Sequence, residues 1–511
     1  MKTKLNLFSK SVILFLMFAT SVFSQSITNT LGTSGLFLIK DAANNYLSLT
    51  QSTGQVNILK TLRLENTTSS SQGVMFKGAD RFLHSFGSSN LFLGVNSGNF
   101  TLTGAGAKIG IGQSSLTSLT TGDANTALGY LTLTSNTEGY SNTALGYQSL
   151  KFNNTGYSNT AVGHLTLYGN TSGISNTAFG DLSLYSNISG NYNSALGDHA
   201  LYSNIQGDDN TAVGYKSLET NEAGNKNTAV GFVSLRYNTN GVENTALGYG
   251  SLNSNLTGRS NTGVGLASLN SNTLGNYNTS VGMHSLLANI DGSFNTALGY
   301  SAGSNVTTGD NLTLVGYNAQ PSSGSANNQI TLGNNNVFSL RCNVQTITSL
   351  SDMRDKKNIT DLNLGLDFLM KVKPRIFNWD KREWYENNIS DGTMIQKIPT
   401  AGFIAQELDE VQKTENAEWL NLVLKDNPEK IEATYGNLLP VMVKAIQELK
   451  SENDILKQNN ERLLSEVESL KLMNDKIAKL EQTLSEMASV KLTSFKISDV
   501  NNTILIEGEG K

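Results

Sequence analysis

Apolar and polar positions recur with a strict 17-residue period through the middle of the chain. The segment Asn125–Tyr130 (NTALGY) returns, without an insertion or deletion, with its first residue at Asn142, Asn159, Asn176, Asn193, Asn210, Asn227, Asn244, Asn261, Asn278 and Asn295. Such a period indicates a repeat architecture in which each unit packs only on its neighbours. Seventeen residues with two glycines and several β-branched side chains predict short strands joined by tight turns.

Stacking one repeat on the next would place equivalent side chains in columns. We expect Leu128, Leu145 and Val162 to form a continuous core stripe. The asparagine columns that start at Asn125 and Asn136 would form side-chain ladders. The glycine columns would supply positive φ angles or close backbone approach. The prediction is a parallel β-solenoid, or β-roll.

The hydrophobic period changes from strand-like to helix-like at Ser351. A helical stretch at 364–371 ends before Pro374, and residues 375–379 alternate like a strand. Beyond Pro440 a heptad of apolar residues follows: Leu449, Leu456, Leu463, Leu470, Ile477 and Leu484. Asn453, Asn460, Val467 and Asn474 take the companion core position. This pattern predicts a coiled coil whose polar core residues fix its register.

These patterns predict a mainly β protein with a small α+β domain and a C-terminal coiled coil. The predicted segments are a signal peptide (1–24), an N-terminal β cap region (25–111), the solenoid repeats (112–333), a neck (334–350), the α+β domain (351–440), the coiled-coil helix (441–490) and a tail (491–511).

The N-terminus has the pattern of a secretory signal peptide. Lys2, Lys4 and Lys10 precede or flank an apolar run at 12–19, and we expect cleavage after Ser24. The remainder has no second apolar run of about 18 residues, so we predict a secreted or bacterial cell-surface protein without an integral membrane span. The net charge of −5 gives no basic footprint for nucleic acid. The 48 glycines would be typical of a disordered chain if their spacing were not periodic.

The repeats offer little chemistry for catalysis, and we predict no metal or cofactor. His164 and His284 stand alone in the sequence, and the adjacent Asp198 and His199 would face opposite sides of a strand. Cys342 is the only cysteine, so no intrachain disulfide is possible. We interpret it as a small buried apolar residue, with an interchain bridge as the alternative.

The N-T-A-[LV]-G repeat resembles the head repeats of trimeric autotransporter adhesins, which carry a related pattern with a shorter period. That resemblance implies a trimer whose three solenoids pack on one another. A thin 17-residue coil encloses little core, so burial against other chains would help it in any case.

Three blocks near the C-terminus resemble the peptidase S74 family, the intramolecular chaperone domain of phage endosialidases and tail fibres. They are S-D-x-R-x-K-x-N-I at 351–359, G-F-x-A-Q-E at 402–407 and L-[IL]-P-x-x-V-x-A-[IL]-x-E-L at 438–449. Their order matches the family, and the resemblance covers about 351–490. It implies three helices in the coiled coil.

The S74 resemblance implies self-cleavage between Leu350 and Ser351, with Ser351 as nucleophile and Lys356 as its base. A serine needs a neighbouring base, and a lysine serves only when it is neutral. Burial and the adjacent Lys357 would favour the neutral amine, whereas Asp355 would oppose it. The pair would be an autocatalytic serine endopeptidase without an external substrate.

The leading hypothesis is a secreted or surface homotrimeric fibre that cuts off its own folding chaperone. An uncleaved structural adhesin, in which 351–511 only trimerises, is the alternative. A tailspike-like glycan hydrolase is a third, against which the scattered carboxylates of the repeats argue. A host-surface or glycan ligand on the repeats is possible, but repeats alone do not name it.

Overall fold

The computed structural model describes residues 36–40, 45–50, 55–58, 64–104, 106–337, 339–341 and 349–498. The predicted signal peptide and Cys342 lie outside the described residues. The chain forms two compact units, one that ends at Asn240 and one that begins at Gly241.

The first unit opens with antiparallel strands and continues as a parallel solenoid. Antiparallel pairs join β1 (Leu36–Lys40), β2 (Asn45–Thr50) and β3 (Gln55–Ile58), and likewise β4 (Met75–Lys77), β5 (Asp80–His84) and β6 (Leu91–Leu93). The parallel strands that follow β6 are β7 (Ile109–Ile111), β8 (Thr126–Leu128), β9 (Thr143–Leu145), β10 (Thr160–Val162), β11 (Thr177–Phe179), β12 (Ser194–Leu196), β13 (Thr211–Val213) and β14 (Thr228–Val230). Parallel stacking thus starts at Leu91, before the Gly112 at which the repeat begins in the sequence.

The second unit contains further coils of the same kind. Its parallel strands are β15 (Thr245–Leu247), β16 (Thr262–Val264), β17 (Thr279–Val281), β18 (Thr296–Leu298), β19 (Thr313–Val315) and β20 (Ile330–Leu332). Each residue pairs with its equivalent in the next repeat, as Thr262 does with Thr279. The predicted parallel solenoid is confirmed.

The solenoid core differs from the predicted one, and the expectation for Leu128, Leu145 and Val162 is wrong. Leu128 is 41% exposed and Leu145 is 40% exposed, while Ala127 of the same strand is fully buried. Successive strand residues point to opposite faces, so the inward position of Ala127 turns both of its neighbours outward. The core is filled by the alanine column of the strands and by the leucine column that starts at Leu133.

Both asparagine ladders are confirmed. In the first, the backbone N–H of Asn142 donates to Asn125 Oδ1 over 3.0 Å. In the second, Asn153 Nδ2 donates to Asn136 Oδ1 over 2.6 Å and to the Gly156 carbonyl over 2.9 Å. These amides are fully buried. Because each asparagine amide is hydrogen-bonded to the coil before or after it, the ladders hold neighbouring coils together rather than stabilise a single coil.

The coil closes through backbone conformations that most residues avoid. In the repeat that begins at Asn142, Gln148, Leu150 and Ser158 have φ angles of 54°, 51° and 56°. Left-handed backbone costs about 1–2 kcal/mol for each non-glycine residue. Gly146 has φ 131°, and a Cβ there would lie 2.2 Å from the carbonyl oxygen of Gly163. The predicted glycine requirement is therefore steric as well as conformational.

The C-terminal part of the second unit is a small α+β domain with an apolar core. Its helices are α1 (Leu366–Leu369), α2 (Ala405–Thr414) and α3 (Leu439–Ser498), and its strand pairs are β21 (Arg375–Phe377) with β22 (Thr400–Gly402) and β23 (Val423–Leu424) with β24 (Glu432–Ala433). Short 3₁₀ turns occur at Met353–Asp355, Arg382–Trp384, Glu418–Leu420 and Tyr435–Leu438. Phe368, Val372, Leu408, Ala417, Leu420, Leu422, Val423, Leu438 and Val441 form the core.

The long helix α3 confirms the helical prediction beyond Pro440. Its heptad residues are exposed in the single chain, with Leu449 at 50% and Leu456 at 61%. Within the described ranges, no helix has both the length and the apolar character needed to cross a membrane.

Candidate self-processing site

A single 3₁₀ turn shapes the predicted cleavage segment. Asp352 caps the turn Met353–Asp355, and its Oδ1 accepts a hydrogen bond from the Arg354 backbone N–H over 2.8 Å. The N–H of Lys356 then donates to the Met353 carbonyl over 3.1 Å. This turn reverses the chain, so that residues five apart in the sequence face each other.

The turn brings together the two residues predicted to carry the chemistry. Lys356 Nζ is in hydrogen-bond contact with Ser351 Oγ, and it lies 3.4 Å from the Ser351 carbonyl oxygen. A base must lie within hydrogen-bond reach of the proton that it removes. The arrangement therefore satisfies the first geometric requirement of a serine–lysine pair.

The site is open to solvent. Ser351 and Lys356 are exposed, and Leu350 on the other side of the predicted scissile bond is fully exposed. The burial expected for Lys356 is therefore absent in the single chain. Exposure also leaves the peptide bond before Ser351 accessible to attack.

The Asp352–Arg354 pair both orders the turn and forms a surface ion pair. Arg354 Nη2 lies 2.6 Å from Asp352 Oδ2, and Arg354 Nε lies 3.1 Å from both carboxylate oxygens. Hydrogen bonds from the Arg354 side chain lower the pKa of Asp352. Asp352 is thereby held ionised as the cap of the turn.

Polar residues of the second and third sequence blocks join distant segments of the domain. Glu448 of α3 accepts from the backbone N–H of Leu366 over 2.6 Å, which caps the first helix from 82 residues away. Arg375 forms a bidentate pair with Glu407 and lowers its pKa through these hydrogen bonds. The sequence blocks contained Glu407 and Glu448, but local patterns gave no sign of their distant partners.

Two histidines of the repeats, His164 and His199, have carboxylate partners that the sequence analysis did not predict. His164 Nδ1 lies 2.7 Å from Asp181 Oδ1, one coil away. Asp198 and His199 follow the strand β12 rather than lie in it, and their side chains are in contact. The expected isolation of His164 and the opposed orientation of the second pair are therefore wrong. Among the described residues, no group of three His, Cys, Asp or Glu side chains is placed to hold a metal ion.

A comparison with protein families identifies the segment that contains this turn. Residues 351–416 match the Peptidase S74 family, described as chaperone of endosialidase. The match confirms the S74 resemblance over the first two sequence blocks, 351–359 and 402–407, and it begins at the serine contacted by Lys356. An S74 domain of this kind fits a tail-fibre-like protein. Neither a curated protein nor a solved structure matches the chain.

Proposed function

We propose that the chain is a secreted, homotrimeric fibre whose C-terminal domain assists its folding and then cleaves itself off between Leu350 and Ser351. The observation that carries the proposal is the Lys356–Ser351 contact at the first residue of the S74 match. That residue would become the N-terminus of the released domain.

The chemistry needs only residues already in contact. Ser351 Oγ attacks the carbonyl carbon of Leu350 while Lys356 Nζ, as the neutral amine, takes the hydroxyl proton. The bond from that carbon to the Ser351 nitrogen breaks, and the proton passes to the leaving amine. Water then hydrolyses the ester, which leaves a carboxylate on Leu350 and a free hydroxyl on Ser351.

Trimerisation would begin at helix α3. Its apolar heptad residues are exposed in the single chain, as Leu463 at 50% and Leu470 at 56% show. A stripe of this kind is stable in water when other helices cover it. The small folded domain in front of it would hold three chains in the same register at the end of the repeats.

The backbone of the solenoid gives a physical reason for a folding assistant. Several non-glycine residues of a coil sit in the left-handed region, so the local preference of the chain opposes the fold. Ladder bonds compensate only after a neighbouring coil exists. The first coil is therefore the costly one, and a pre-assembled C-terminal domain would nucleate it.

Self-cleavage is tested with residues 25–511, boiled after purification and analysed by mass spectrometry. We expect two fragments with a junction between Leu350 and Ser351. Ser351→Ala should abolish cleavage, and Lys356→Gln should slow it by about a hundredfold or more. Lys397→Gln, which removes the same charge from an exposed position elsewhere in the domain, should stay within about threefold of the parent.

An uncleaved adhesin is the second candidate, and the exposure of Lys356 next to Asp355 favours it. A lysine acts as a base only as the neutral amine, which burial would favour, and Lys356 is exposed. An intact parent chain that is still trimeric would overturn the protease assignment. The C-terminal domain would then be a permanent trimeric foot. Secretion and any ligand on the repeats stay predictions.

A further inference from the structure

The third residue of each solenoid strand is apolar and faces away from the coil's own core. We call this column the strand-face stripe. In the first unit it consists of Ile111, Leu128, Leu145, Val162, Phe179, Leu196, Val213 and Val230, and in the second unit of Leu247, Val264, Val281, Leu298, Val315 and Leu332. Each of these side chains is exposed or half-buried.

The stripe stays apolar where other outward columns do not. The column two residues later begins with Tyr130 and Tyr147 but continues with His164, Asp181 and Asp198, all of which are exposed. Outward positions of the coil therefore accept charge. Since the alanine and leucine columns already fill the interior, the hydrophobicity of the stripe is not needed inside the coil.

The continuity of the stripe points to a protein partner. Its rows in the first unit are consecutive, and every row carries an exposed or half-buried apolar side chain. A contiguous apolar band on a soluble chain marks an interaction surface. Isolated exposed leucines would need no such explanation.

The regular spacing of the stripe selects the partner. Its rows follow the strand spacing of about 4.8 Å, so only a partner with the same axial repeat can match it row by row. A second copy of this chain in the same register has that repeat by construction. Closed symmetric assembly then lets each copy bury its stripe against the others.

We propose that the strand-face stripe is the surface on which the solenoids of different copies pack against one another. This inference rests on the proposed trimer and adds the face that each copy contributes. It also explains why alanine occupies the inward position of the strand, since the larger apolar residue is reserved for the neighbouring chain.

The experiment places single cysteines in the full chain with Cys342→Ser as background. Leu247→Cys and Leu298→Cys test the stripe, at positions that are 47% and 49% exposed in the single chain. Leu274→Cys is the matched control, because Leu274 is 52% exposed but lies in a turn outside the strands. After mild oxidation, denaturing non-reducing gels measure links between chains.

We expect most chains to be cross-linked through the two stripe positions and fewer than about one in ten through Leu274→Cys. Light scattering on the same samples separates the two proposals. A trimer in which Leu274→Cys links as well as Leu298→Cys, or in which neither stripe position links, overturns the assigned face alone. A monomeric parent overturns the trimer and the face together. Leu298→Asp and Leu274→Asp give a second reading, because only the former should lower the thermal midpoint of the trimer.

Discussion

The solenoid coils and the C-terminal domain stabilise their folds in different ways. The domain has a conventional apolar core around Phe368, Leu408 and Leu422, assembled from residues between 368 and 441. The coils bury small side chains together with fully buried asparagines, and they hold non-glycine residues such as Leu150 in the left-handed region. One region can form from its own contacts, whereas the other needs a neighbour that has already formed.

This difference gives a physical reason for the coils and the C-terminal domain to occur in one chain. When all contacts are between adjacent coils, a new coil forms easily on an existing one, but the first coil forms with difficulty. A fold with a local core starts readily and can present a template.

Removal of the C-terminal domain should have the largest effect on folding of the repeats. A stop codon after Leu350 should lower the yield of soluble, folded repeats by at least about tenfold, because unpaired coil edges aggregate while they wait for nucleation. Soluble yield and circular dichroism measure the outcome. Ser351→Ala in the full chain is the control, since it keeps the domain attached without the nucleophile. A truncated chain as soluble and heat-resistant as the control would contradict the need for a folding assistant.

Gly248 and Gly250 of one coil separate the effect of close approach between coils from the effect of a positive φ angle. Gly248 has φ 130°, and a Cβ there would lie 2.6 Å from the Gly265 carbonyl oxygen, whereas the nearest atom to a Cβ on Gly250 is a side-chain nitrogen at 3.3 Å. Gly248→Ala should destabilise the repeats by more than about 3 kcal/mol and Gly250→Ala by about 1 kcal/mol. Denaturant midpoints followed by circular dichroism measure both. Equal effects would mean that positive φ alone, and not the close approach of coils, sets the requirement.

Two adjacent asparagines test the ladders. Asn153 is fully buried, and Asn170 Nδ2 donates to its Oδ1 over 2.6 Å, whereas Asn154 is exposed. Asn153→Ala removes the donor to Asn136 Oδ1 and the acceptor of one Asn170 N–H, both buried, and should cost about 2–3 kcal/mol. Asn154→Ala should cost no more than about 0.5 kcal/mol. The two variants are compared by their unfolding rates in guanidinium. A similar rate for both would show that the asparagine ladder does not stabilise the coils.

Structural features that depend only on the repeat period could be predicted from the sequence. The asparagine and glycine columns could be predicted because a residue that recurs at the same position of every repeat lies next to its equivalents when the coils stack. The side of the strand on which Leu128 lies could not be predicted, since the rule that large apolar residues face inward assumes that the core belongs to one chain. In a strand of three residues, alanine and leucine compete for the interior, and here alanine occupies it.

The candidate site shows a similar limit. The pairing of Ser351 with Lys356 follows from the family resemblance, and the turn Met353–Asp355 supplies its geometry. The burial expected for Lys356 followed from what a lysine base requires, not from residues that could cover it. Glu448 and its contact with Leu366 join segments far apart in the chain, so no local pattern could indicate them.

The smallest expected effect concerns an ion cluster in the C-terminal domain. Burial would raise the pKa of Asp409, but hydrogen bonds from Lys413, Lys425 and Gln412 outweigh it and lower the pKa to about 2. A carboxyl with a lowered pKa in the folded state stabilises the fold above its unfolded pKa near 4, and this contribution disappears as the pH falls from about 4 to 2. It amounts to about 2 kcal/mol at most.

Tryptophan fluorescence isolates this effect in the full chain, because its 3 tryptophans, Trp379, Trp384 and Trp419, all belong to the domain. Between pH 5 and 2.5 the denaturant midpoint of the parent should fall more steeply than that of Asp409→Asn, which has no charge to lose there. Asp361→Asn, at an exposed position, should follow the parent. Equal pH slopes for Asp409→Asn and the parent would show that the domain relies on its apolar core alone, which would sharpen its contrast with the hydrogen-bonded coils.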